Sequence, residues 1–144
     1  MPFLYDANVA SELRRARQPG CHAAFAAWAA KTDLSQSYLS VVTIHEMARG
    51  VMLTERKDPA RGRAYRAWLD VLLGAFHGRI LDLTLDAAIA AASYHVLNSA
   101  PLADALIAGT AAVNGLTVVT RNVADFARFG VPVLNPWECV GPAN

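Results

Sequence analysis

The chain alternates short apolar runs with longer stretches of helical periodicity. Phe3-Leu4-Tyr5 is apolar and stops at Asp6, which predicts a buried strand. Asn8 or Ser11 can then cap a helix running through Glu12, Leu13 and Arg17, with Pro19-Gly20 ending it. Residues 21–30 read as a second helix with Phe25, Trp28 and Ala29 on one face. Residues 38–42 are β-prone, and Thr43 opens a helix with Ile44, Met47, Ala48, Val51 and Met52 at helical spacing. Residues 57–62 are polar and basic, either a loop or a helix start. Tyr65, Trp68, Leu69, Leu72, Leu73 and Phe76 then form a long apolar stripe that Gly78 closes. Residues 80–83 predict a strand, and Asp86 opens an Ala-rich helix through Val96. Pro101 starts another, with Leu102, Leu106, Gly109 and Val113 on one face and Asn114-Gly115 at its end. Residues 116–120 are β-branched and read as a buried strand. Asn122 opens a short helix to Arg128, and residues 131–134 give the last strand.

Strands therefore alternate with helices from end to end. That predicts an α/β/α sandwich around a mainly parallel sheet, with 1–144 as a single domain and no linker. Composition narrows the class. The chain is 54% apolar and 17% charged, which excludes intrinsic disorder. A net charge of +1 excludes a chain that works as a uniformly cationic glue for nucleic acid. Two cysteines, Cys21 and Cys139, exclude a disulfide framework and a four-cysteine zinc site. No apolar run reaches membrane-spanning length, and the first residues lack the basic and apolar regions of a signal peptide, so a cytoplasmic chain is expected.

In parallel sheets, ligands bind beyond the carboxyl ends of the strands. Asp6, Glu46, Asp104, Asn122 and Asp125 all fall in or just after such places. Converging carboxylates repel one another and invite a hard divalent cation. Each also has a plain structural reading. Thr43-Ile44-His45-Glu46 fits a capping box. Asp104 can complement a helix dipole, and Asn122 with Asp125 resembles an N-cap with a first-turn acid. Asp6 has no such reading unless it is itself an N-cap. Five of the thirteen basic residues, Arg56, Lys57, Arg61, Arg63 and Arg66, lie within eleven positions, and Arg14, Arg15 and Arg17 form a smaller cluster. They are either a solvated helix face or contacts for a phosphate backbone. A haloacid-dehalogenase-type phosphatase also starts from a strand-end Asp. Asp6-Ala7-Asn8 lacks its second acid, and neither Lys31 nor Lys57 sits at a late strand end.

Residues 3–12 (FLYDANVASE), 38–46 (YLSVVTIHE) with Gly50, 102–108 (LADALIA) and 117–126 (TVVTRNVADF) resemble, in order, the four motifs of PIN-domain toxins of the VapC type. Residues 76–81 and the closing Asn135-Pro136-Trp137 fit the FitB/VapC branch of that family. The resemblance implies a PIN-like fold, Mg²⁺ or Mn²⁺ dependence, and hydrolysis of phosphodiester bonds in RNA. It also implies a VapB-type antitoxin partner and a homodimer. Asp6, Glu46 and Asp104 would inherit the acidic metal-ligand role. Asn122 falls where relatives carry Asp or Asn, and Asp125, three residues on, could supply the missing charge. Ala7 stands where relatives usually carry Thr, and Asn122 is neutral, so the alternative is a catalytically impaired module that binds RNA or a protein without cutting. The Tyr65-to-Phe76 stripe is expected to be covered by a second subunit.

Overall fold

The computed structural model describes residues 2–16 and 19–138, so Arg17 and Cys139 lie outside the described residues. Five strands form one sheet in the order β3-β2-β1-β4-β5, and every pairing is parallel. The strands are β1 (Phe3–Tyr5), β2 (Ser37–Ser40), β3 (Ile80–Leu81), β4 (Thr117–Val119) and β5 (Val133–Leu134). The helices are α1 (Ala7–Leu13), α2 (Ala23–Lys31), α3 (Val41–Lys57), α4 (Pro59–Ala75), α5 (Leu85–Leu97), α6 (Leu102–Asn114) and α7 (Val123–Ala127).

Successive strand residues feed opposite faces. Tyr5 and Val119 pack with Val9, Phe25, Met47 and Leu69 of α1 to α4. Leu4 and Val118 pack with Ala91, Ala105, Ala108 and Phe126 of α5 to α7. This is the layered α/β arrangement with a parallel sheet that the alternation of elements predicts. The strand order runs outward from β1 through β2 and β3 on one side, and through β4 and β5 on the other. The reversal between β1 and β4 opens a crevice at the carboxyl ends of those two strands.

Several boundaries differ from the sequence expectation, each for a local reason. Helix α1 begins at Ala7 because Asp6 is its N-cap, not Asn8 or Ser11. Strand β2 ends at Ser40, whose hydroxyl accepts from the Val42 N–H and starts α3 two residues before Thr43. Thr43 therefore sits inside the first turns, and its buried hydroxyl has no hydrogen-bond partner among the described residues. Lys57 ends α3 and Asp58 caps α4, with Pro59 in its first turn, so the helix start within residues 57–62 is at Pro59. Thr84, rather than Asp86, caps α5.

The apolar face of α6 is also shifted. Leu102 and Val113 are exposed, while Ala105, Ala108, Gly109 and Ala111 are buried. Small residues let α6 lie close against α5. A Cβ built on Gly109 would collide with the Ala87 carbonyl oxygen and approach the Ala91 nitrogen at 3.1 Å. The Tyr65-to-Phe76 stripe is spent within this chain: Leu69, Leu72 and Phe76 are buried against Tyr5 and Phe25. Exposed large apolar residues cluster instead on α5 and just after it, at Leu85, Ile89, Val96, Leu97 and Leu102, while Val71 is the strongly exposed one on α4.

Gly109→Ala tests the close helix pair. Overpacking against backbone is expected to cost about 1–3 kcal/mol, read as a lower melting temperature. Unchanged stability would mean that α5 and α6 can separate freely.

Candidate active site

Asp6 follows β1 directly, at the crevice edge. It is buried, at 8% exposure, which is unusual for a carboxylate and requires hydrogen-bond partners. Its Oδ1 accepts from the Ala7 N–H at 2.8 Å. Its Oδ2 accepts from the Thr120 hydroxyl at 2.9 Å and from the Asn8 side-chain amide at 3.3 Å. Its own N–H donates to the Val119 carbonyl at 2.9 Å, tying the end of β1 to the end of β4. Thr120 is fully buried, and its oxygen also accepts from the Asn122 N–H at 3.0 Å. Asn8 closes the loop, since its Oδ1 accepts from the Arg121 N–H at 3.3 Å. Asp6 is thus the α1 N-cap and also the centre of a network joining the β1–α1 and β4–α7 turns.

The other acids gather around it. Glu46 lies in the second turn of α3, Asp104 in the first turn of α6, and Asp125 in the first turn of α7. Asp6, Glu46 and Asp104 are each raised in part by a neighbouring acid. Burial pushes the Asp6 carboxyl above its usual range, and the Asp125 charge adds to that, against the lowering effect of its hydrogen bonds. Glu46 is raised by partial loss of hydration at its carboxyl end, then by Asp6 and Asp104, although the residue as a whole is exposed. Asp104 is half-buried and raised by desolvation, then by Asp6 and Asp125; Arg128 offsets this in part. Asn122 is exposed and lines an adjoining depression with Arg121, Asp125, Asn135 and Glu138.

Four carboxylates thus share one electrostatic neighbourhood. Among the described residues, no three Asp, Glu, His or Cys side chains are grouped tightly enough to hold one ion between them. The donors are all hard oxygens, and their mutual repulsion is offset only in part, by Arg128 at Asp104 and His45 at Glu46. That chemistry suits an oxygen-preferring divalent cation held by one or two carboxylates and otherwise by water. Asp6, Glu46 and Asp104 are the residues that could hold it. Asp6 is already aimed by its hydrogen bonds.

Sequence reasoning missed Thr120 and Asn8. Asn8 stood out only as a possible helix cap, and Thr120 only as the end of an apolar strand. A hydroxyl at the carboxyl end of a buried β-branched strand, next to the crevice, is the signal that could have found Thr120. His45, beside Glu46 in sequence, is exposed and lines a different depression with Arg49 and Met52.

Comparison with known proteins agrees with this arrangement of elements. A family model described as PIN domain matches residues 3–132. The chain is 33% identical over 145 residues to VapC ribonuclease Y4jK of Sinorhizobium fredii, covering 94% of this chain and 98% of that protein. The crystal structure of FitAcB from Neisseria gonorrhoeae superposes with a TM-score of 0.84 at 31% identity, covering 95% of this chain and 99% of that one. A toxin–antitoxin complex from Klebsiella pneumoniae superposes with a TM-score of 0.63 at 28% identity, covering 95% and 99%.

The raised carboxyls fix the sign of a pH effect. With Asp6, Glu46 and Asp104 raised, the folded state holds protons that the unfolded state has already lost. Their contribution is therefore most favourable at low pH. It falls as pH rises from the ordinary carboxylate range through the raised values. In chelated buffer, Asp104→Asn is expected to melt higher than wild type at neutral pH, and the difference should shrink in acid. Parallel melting curves across pH for the two proteins would contradict the crowding.

Proposed function

We propose that this chain, which belongs to the PIN-domain family and to its VapC-like toxins, is an endoribonuclease that hydrolyses phosphodiester bonds in RNA with a divalent cation. The supporting observation is the set of four carboxylates around a buried, hydrogen-bonded Asp6 at the β1/β4 crevice. We assign Asp6, Glu46 and Asp104 to Mg²⁺, with Mn²⁺ as a substitute. Asp125 adds charge to the site, and Asn122 offers a neutral oxygen at its edge.

Bound there, the ion would supply Lewis-acid charge for the phosphate and make a water easier to deprotonate. The protein's part is orientation. Thr120, Asn8 and the Ala7 N–H fix the Asp6 carboxylate, so its lone pairs need no reorganisation as charge develops. Glu46 stands on the rim, where substrate and solvent can reach it. The layout asks for no histidine base. Single-stranded or looped RNA is the target class, because its bases and backbone are accessible.

A VapB-type antitoxin is the proposed protein partner, and the neighbour from Klebsiella pneumoniae named above is itself a toxin–antitoxin complex. A homodimer is also proposed, through the exposed apolar residues of α5, with helices and not sheet edges in contact. Among the described residues no helix is long and apolar enough to cross a membrane, which fits the cytoplasm as the proposed compartment.

A second reading is favoured by one residue. Ala7 presents only a methyl group beside Asp6, where a hydroxyl could orient a bound water, so the protein could be an impaired module that binds without cutting. Cleavage of a labelled single-stranded RNA, with Mg²⁺ or with chelator, separates the two. Wild type is expected to cut only with the ion. Asp6→Asn and Asp104→Asn should each lower the rate on the order of 10²-fold or more, with the fold retained by circular dichroism. Cleavage equal to wild type in both variants would overturn the assignment, and no cleavage by wild type would favour the impaired module.

A further inference from the structure

A groove of about 480 Å³ leads away from the acidic site between α1, α3 and α4. Ala7 and Glu46 line its acidic end, Met47 and Val51 its apolar floor, and Arg14 and Tyr65 its far end. On α3 it extends from Glu46 to Thr54, about 12 Å by helical rise. A phosphate at the far end is therefore not the phosphate at the carboxylates.

The far end is built around one ring. Arg61 and Tyr65 lie four residues apart, on the same face of α4. The Arg61 Nε donates to the Tyr65 hydroxyl at 2.9 Å, and its guanidinium carbon is 5.2 Å from the ring centroid. Arg14, just past α1, lies 5.1 Å from the same centroid and 5.6 Å from the Trp68 ring. The two cations hold the Tyr65 hydroxyl below its usual range, with the Arg61 hydrogen bond the larger effect. Neither arginine forms an ion pair with a carboxylate among the described residues. Arg66, by contrast, is bound to Glu55 through two contacts at 2.7 and 3.1 Å. Of the basic run at 56–66, Arg61 is the member that joins this ring.

We propose that Arg14 and Arg61, held on Tyr65, form a phosphate-binding subsite for single-stranded RNA, seating the backbone one or more links from the bond that is cut. With its Nε engaged by the Tyr65 hydroxyl, the Arg61 guanidinium is held in one orientation and still has Nη donors that match phosphate in geometry. Fixing it in advance reduces the entropy lost on binding. Two cations on one ring leave little of it for base stacking, so the subsite grips backbone and is tolerant of base identity. The groove's continuity with the acidic site favours RNA over an acidic peptide, because one strand can then occupy both ends. This inference rests on the ribonuclease reading, and binding and cleavage are read separately so that the two can fail separately.

Binding of a fluorescein-labelled oligouridylate is followed by anisotropy across a salt series, in chelated buffer. Arg14→Gln and Arg61→Gln are each expected to weaken binding several-fold and to lower the slope of log K against log salt by about 0.7. Arg63→Gln, an exposed charge on the same helix, should change binding much less. Gly50→Glu places a carboxylate in the groove where a Cβ meets open space, and should weaken binding without unfolding the protein. Where wild type cleaves, Arg14→Gln and Arg61→Gln should raise KM and leave kcat close to wild type. The subsite is overturned if Arg14→Gln and Arg61→Gln bind like wild type, or if Arg63→Gln loses as much as they do. It is also overturned if they lose only affinity for the cognate antitoxin, which would give the groove to a peptide. Failure of wild type to cleave, with the binding losses intact, would sink the ribonuclease reading and support the subsite.

Discussion

A carboxylate withdrawn from water at the end of a parallel strand is costly unless the fold supplies its partners. Asp6 obtains them from both sides of the crevice: Ala7 and Asn8 from the start of α1, and Thr120 from the end of β4. The same bonds set the relative position of the two turns that bear the candidate site. The strand order explains why they meet, since β1 and β4 are neighbours whose following helices leave toward opposite faces. Glu46 is then carried in on the second turn of α3, and Asp104 and Asp125 on the first turns of α6 and α7, each placed by sheet topology rather than by contact with another acid. The result is a preorganised but repulsive site, in which one deeply held carboxylate is fixed and three more accessible ones surround it.

The layered architecture was legible because each strand is a short β-prone run followed by a helical period. The site positions were legible because acids stood just past those runs. What the sequence left hidden was mostly cap chemistry and size. Ser40 and Thr84 capture helix starts ahead of the residues that look like starts, because a hydroxyl in extended backbone reaches an N–H two or three positions on. Of the face expected on α6, Gly109 is buried, while Leu102 and Val113 are left outside; Ala105, Ile107, Ala108 and Ala111 are buried in their place, because small residues let α6 approach α5 closely. Arg14 and Arg61 come from segments 47 residues apart in sequence and meet only because α1 and α4 flank α3. No local pattern could pair them.

Fold alone does not carry function, since many folds host unrelated chemistry. Here the site carries the function: hard oxygen donors, partly compensated charge, and a groove with a basic end. The proposed role of this charge is to hold a divalent cation. The most direct measurement is the melting temperature of wild type and Asp104→Asn, each with and without excess Mg²⁺ or Mn²⁺ at neutral pH. A ligand at about 100 times its Kd stabilises the folded state by about 2.7 kcal/mol. A rise of several degrees is expected for wild type on adding the ion, and a much smaller rise for the variant. Equal shifts in the two proteins, or none in wild type, would show that these carboxylates do not hold the ion.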